Sequence, residues 1–170
     1  MGVNHYKKHL VVFLEDAPYR SILNGVKILP NINYDVMDIK NPCGGWSDVF
    51  NALEKNLHLL KNPECNILLL MDFDDQDEES LSSFERRKRK LSELTPPEHV
   101  KRVFMLGVNH KESEALKKYF KTPNLEQIGQ KLIQDCPNGD LSNWRNTHLE
   151  CNLLEIERMK TNGVFKWLFH

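Results

Sequence analysis

NILLLMDFDDQD, residues 66 to 77, runs five apolar residues from Ile67 to Met71 straight into carboxylates at Asp72, Asp74, Asp75 and Asp77. A short unbroken apolar run that ends in turn-forming residues reads as a β-strand covered on both faces. Side-by-side carboxylates repel one another, so the cluster needs water, a cation or a neighbouring base to answer its charge. The rest of the chain bears on which of these it is.

Working outward, HLVVFLE (9–15) and VKRVFMLGV (100–108) have the same apolar character, and YDVMDIK (34–40) alternates like a further strand. Between them lie stretches of helical period. Ile22, Val26 and Leu29 mark one helix, and Trp46, Val49, Phe50, Leu53, Leu57 and Leu60 mark a second with Ser47 as its expected cap. A third, basic helix runs over 79–94 and is stopped by Pro96 and Pro97. Helical spacing continues through 111–120, 124–135 and 142–160, and VFKWLF (164–169) reads as a last strand or a docked tail. Strands alternating with helices predict a three-layer α/β/α fold with a mostly parallel central sheet of four to five strands. The expected layout is a single domain, with a core over about 9–120 and a helical C-terminal extension over about 124–170. Segments 9–15, 66–72 and 101–107 are expected to be adjacent central strands.

At 170 residues the chain can bury a real core. Its 23 Lys and Arg nearly balance 24 Asp and Glu, so any polyanion partner would have to be held by a local patch. No apolar run approaches the roughly 18 residues of a membrane span. The first residues match neither a signal peptide nor a myristoylation site, since Tyr6 stands where Ser or Thr is needed. The expected setting is cytoplasmic, with Cys43, Cys65, Cys136 and Cys151 as reduced thiols.

Ligands of open α/β sheets bind beyond the carboxyl ends of the strands. That rule gathers Glu15 and Asp16 after the first strand, Asp72, Asp74 and Asp75 after the third, and His110, Glu112 and Glu114 after the fourth. A hard cation such as Mg²⁺ or Mn²⁺ takes oxygen ligands and keeps several waters, so two or three of these carboxylates suffice.

Glu15 after VVFL, and Asp72-Phe73-Asp74 after NILLLM, resemble the topoisomerase–primase (Toprim) pattern of a glutamate after the first strand and Asp-x-Asp after a later one. The order of elements over 9 to about 120 is similar too, and the nearest kin would be small Toprim-like proteins and the Toprim half of overcoming-lysogenization-defect nucleases. The resemblance implies Mg²⁺-dependent phosphodiester chemistry on nucleic acid. Glu15, Asp72 and Asp74 would be catalytic, and Asp75 would join them around the metal, with Asp16 as an outer partner. It also implies work alongside a separate ATPase or effector protein. Asp16 stands where that family usually has Gly. The alternative is a non-catalytic signalling or interaction domain similar to response-regulator receivers. Glu15-Asp16 resembles their acidic pair, Asp72 or Asp74 their phosphoacceptor, and Lys121 with Pro123 their Lys-Pro element, although Thr122 intervenes and Gly107 replaces their Ser or Thr.

Arg86, Arg87, Lys88, Arg89 and Lys90 run consecutively and wrap around their helix. Read blandly they are a solvated face balanced by the preceding acids. Read functionally, Arg86, Arg87 and Lys88 touch the phosphates of a nucleic acid. His148 and Cys151 share a helical face, but the other ligands of a zinc site are not in register, and core packing is the expectation for Cys151. Trp46, Trp144 and Trp167 are expected in the core.

Overall fold

A computed structural model describes residues 3–74, 81–109, 113 and 115–170. Four strands form one all-parallel sheet: β1 (His9–Leu14), β2 (Met37–Ile39), β3 (Cys65–Phe73) and β4 (Val103–Asn109), in the order β2-β1-β3-β4. Val12 lies opposite Leu68, and Leu68 opposite Phe104, so the three apolar runs are side by side. Every residue of β1 and β3 is buried, as strands between two helical layers require.

Side chains alternate between the two faces. Leu10, Val12, Leu14, Leu68 and Leu70 meet α1 (Ala17–Lys27) and α5 (Leu125–Asp135), while Val11, Phe13, Ile67, Leu69 and Met71 meet α2 (Trp46–Asn56) and α3 (Ser83–Leu94). The three layers are those expected from the sequence. The helices begin for ordinary reasons. Asp16 caps α1 by accepting from Tyr19 N, and Ser82 and Glu85 form a reciprocal capping box on α3. Ser47 does not cap α2; Gly45 holds that position without a side-chain bond, and Ser47 lies inside the helix.

The C-terminal third is part of the same core. α4 (Ala115–Tyr119) leads into α5, which crosses α1 at very short range. A Cβ on Gly25 would stand 1.9 Å from Glu126 O, and one on Gly129 would stand 2.0 Å from Ile22 O. After α5, Trp144 packs into the core and its indole donates to Leu132 O at 2.9 Å. Trp46 and Trp167 are half-buried against the two clusters. Only the second half of the 142–160 stretch is a regular helix, α6 (Leu153–Thr161), preceded by two short 3-10 turns. Segment 164–169 is a docked tail: a single turn of helix, α7 (Phe165–Leu168), followed by a bridge from Phe169 to Ile32.

β4 adjoins β3 as expected, but it is not central: among the described residues it is the last strand and its outer edge has no partner strand. That edge is closed by α6 and the turn before it. Arg158 donates to Val103 O at 2.5 Å, Met105 N donates to Glu155 at 2.9 Å, and Asn109 N donates to His148 O at 2.7 Å. Asn152 serves both groups of Gly107, accepting from its N–H at 2.9 Å and donating to its carbonyl at 2.7 Å. Side chains thus replace a fifth strand and keep the edge from pairing with another chain. All four cysteines are free, and among the described residues no helix is long and apolar enough to cross a membrane.

Candidate acidic site at the carboxyl ends of the strands

Glu15 is the residue at which β1 leaves the sheet. Its backbone N–H still bonds Leu70 O at 2.9 Å, but its carbonyl turns away to accept from Gly44 N at 2.8 Å. Its side chain takes over the vacated place: Oε2 accepts from Asp72 N at 2.8 Å. Glu15 is therefore pinned to the end of β3. Among the described residues no hydrogen bond engages Oε1. Burial raises the Glu15 pKa most, the Asp72 amide opposes that, the charges of Asp16 and Asp74 raise it further, and the Arg87 guanidinium draws it down.

Asp72 continues the face of Leu68 and Leu70 and points into the layer under α1. It is 5% exposed. Tyr19, fully buried in α1, donates its hydroxyl to Asp72 Oδ1 at 2.6 Å, and Ser113 N lies 3.1 Å from both carboxyl oxygens. The same Tyr19 hydroxyl accepts from Val108 N at 3.2 Å, so one phenol ties α1 to the ends of β3 and β4. Burial lifts the Asp72 carboxyl from an ordinary 3.8 to about 7, the Tyr19 and Ser113 bonds pulling against it and the charges of Glu15 and Asp16 adding to the rise. Burial and the Asp72 charge in turn push the Tyr19 phenol well above its usual value.

Asp74 is half-buried just past β3, and Asp16 is engaged as the cap of α1. Asp75, His110, Glu112 and Glu114 lie outside the described residues. Among the described residues no three His, Cys, Asp or Glu side chains converge on one point as a metal set would, so Glu15, Asp72 and Asp74 share a rim without forming a closed ligand cage.

Sequence reasoning missed Tyr19 and placed Arg87 wrongly in space. Arg87 is not on the solvated face of α3; it is 2% exposed and stacks its guanidinium 3.5 Å from the Trp46 ring centre, within electrostatic reach of Glu15. The signal was present in the sequence, because Ser83, Arg87 and Leu91 repeat every four residues and share the inward face. Its neighbours divide around the helix. Arg86 is half-buried, Lys88 is exposed, and Arg89 pairs with Glu93 at 3.0 Å. Among the described residues His148 and Cys151 join no group of metal-ligating side chains: His148 approaches Asn109 O, and burial pushes the Cys151 thiol up to about 12.

No family model, curated protein or solved structure matches the chain.

Proposed function

We propose that the carboxyl end of the sheet binds Mg²⁺ or Mn²⁺ and supports nuclease-like phosphodiester chemistry on nucleic acid. The observation that carries this reading is the 2.8 Å bond from Asp72 N to Glu15 Oε2, which holds the acid of β1 against the acids that follow β3. Glu15, through Oε1, and Asp74 would hold the cation, with Asp75 beside them. When bound, the cation would polarise a phosphate and lower the pKa of a water. Glu15, whose proton affinity is already raised by burial and by Asp16 and Asp74, is suited to take that water's proton. Asp72 holds Tyr19 and the 113 backbone in place, so its part is to position the rim. Arg87, steadied on Trp46, keeps a positive charge beside the acids where a phosphate would lie. Arg86 and Lys88 would lead the nucleic-acid backbone toward that point. A cytoplasmic setting and a separate ATPase or effector partner belong to the same proposal.

One observation favours the second reading, a non-catalytic receiver-like domain. The Asp72 carboxyl is buried and already accepts from the Tyr19 hydroxyl and the Ser113 amide, the state of a structural anchor. Against a phosphoaccepting site, the described residues between β4 and α5 include α4 and no fifth strand, and Lys121 sits exposed in the turn that ends α4.

Calorimetric titration with Mn²⁺, run beside cleavage of labelled single- and double-stranded oligonucleotides, separates the two. The nuclease reading expects saturable binding and cation-dependent cleavage, both lost in Glu15→Gln and Asp74→Asn. Binding without cleavage under any strand type would pass the site to the signalling reading, and no binding would remove both.

A further inference from the structure

Between the sheet and the α1–α5 pair lies a cavity of about 110 Å³. Leu68, Leu70 and Leu106 line it from the sheet, and Leu23 and Leu132 line it from the two helices. Met37 and Met159 border it as well. Protein interiors seldom keep a space larger than a water molecule, so a core that does so has room for a guest.

The polar groups of the lining are already engaged. Among the described residues no charged side chain lines the cavity. The Tyr19 hydroxyl serves Asp72 and Val108 N, and the Trp144 indole donates to Leu132 O at 2.9 Å. Cys136 donates its thiol to the same carbonyl at 3.5 Å, and burial pushes that thiol up to about 12, so it stays neutral. Asn152 takes both the N–H and the carbonyl of Gly107. A buried water needs about two to four hydrogen-bond partners, and this lining offers none to spare. An apolar cavity of about 150 Å³ stays dry and takes up benzene or xenon instead.

We propose that this cavity binds one small apolar molecule, of benzene size or slightly less, that carries no hydrogen-bonding group. The volume sets the upper size. The engaged lining sets the chemistry, because a hydroxyl or amine brought in with the ligand would be buried without a partner. Met37 and Met159, unbranched and polarizable, let the lining adapt to the guest's outline. The site is independent of the cation reading of the acidic rim.

The test titrates xenon, benzene and phenol into the isotope-labelled full chain by NMR. Xenon and benzene are expected to shift amides of β3, β4, α1 and α5 saturably. Phenol should bind at least about tenfold more weakly than benzene, because its hydroxyl would be buried unpaired. Cys136→Leu puts more side chain into the cavity and should abolish the benzene shifts in a chain that still folds. Should leucine not be accommodated there, Val26→Ile adds a single methyl from α1 and should weaken benzene. Equal binding of benzene and phenol, shifts confined to other elements, no saturable shift, or full benzene binding in every folded filling variant would each overturn the proposal. So would a long-lived water detected by cross-relaxation with the methionine methyls of the cavity.

Discussion

Asp72→Asn should make this protein more stable at neutral pH and less dependent on pH. In the folded chain the Asp72 carboxyl keeps its proton up to about pH 7, against an ordinary 3.8. Between those values the folded state binds more protons than the unfolded one, so stability from this group is full below about pH 4 and is lost as pH rises through about 7. The span from 3.8 to about 7, at about 1.4 kcal/mol per pH unit, bounds that loss at about 4 kcal/mol. Asparagine has the same shape and can still accept from Tyr19 and Ser113, but its amide brings donors with no partner, which costs about 1–2 kcal/mol. The variant should therefore exceed the wild type by roughly 2–3 kcal/mol at pH 8 and fall short by roughly 1 kcal/mol at pH 4. Urea unfolding of both proteins at a series of pH values reads the difference, in which the parallel titration of Glu15 largely cancels. A difference that stays constant across the series would refute the burial argument. Repeating the series with Mg²⁺ adds the functional question. The cation reading expects the metal to stabilise the wild type above pH 7 and the variant less, since the rim Asp72 positions has changed.

Gly129→Ala places a methyl about where Ile22 O already is, so α1 and α5 must separate; a loss at or above the usual 1–3 kcal/mol of overpacking is expected in a thermal or urea melt. Asn152→Ala leaves both backbone groups of Gly107 unpaired at the sheet edge, and about 2–4 kcal/mol should be lost, with light scattering rising on storage as the β4 edge opens. Arg87→Gln removes the stack on Trp46, costing about 1–2 kcal/mol; tryptophan emission should change, and the Glu15 carboxyl, no longer drawn down by the guanidinium, should titrate at higher pH by NMR. Replacing Arg86 and Lys88 together by Gln, with Arg87 left in place, should flatten the salt dependence of oligonucleotide binding by about one for each phosphate no longer neutralised; an unchanged slope would remove the basic helix from the nucleic-acid reading.

Much of the fold could be read locally. The runs around Val12, Leu69 and Met105 are apolar without alternation, and only a strand roofed on both faces makes that composition favourable. From there the parallel order and the three layers follow, because parallel strands need helical crossovers. The arrival of Glu15, Asp72 and Asp74 at one end of the sheet follows as well, since parallel strands deliver their carboxyl ends to the same side. Asp16 and Ser82 announce their caps by residue type and position.

Which way those acids face was not local. Asp72 is drawn inward by Tyr19 and Ser113, residues 53 and 41 positions away, and no pattern around either marks the meeting. Arg87 was hidden in a run of like charges; it is buried because Trp46, on another helix, offers a ring that holds a guanidinium. The closing of the β4 edge by side chains is likewise a tertiary outcome. Arg158, Glu155 and Asn152 recur every three residues, which on a helix puts them along one side, but their worth as hydrogen-bond partners appears only when α6 lies against β4. Composition and period thus determined the strands, the layers and the end of the sheet where the acids gather, since burial of apolar surface acts on each segment by itself. The partners of the polar groups were decided by the tertiary structure, because a hydrogen bond or a stacked charge depends on a few ångströms between residues far apart in the chain.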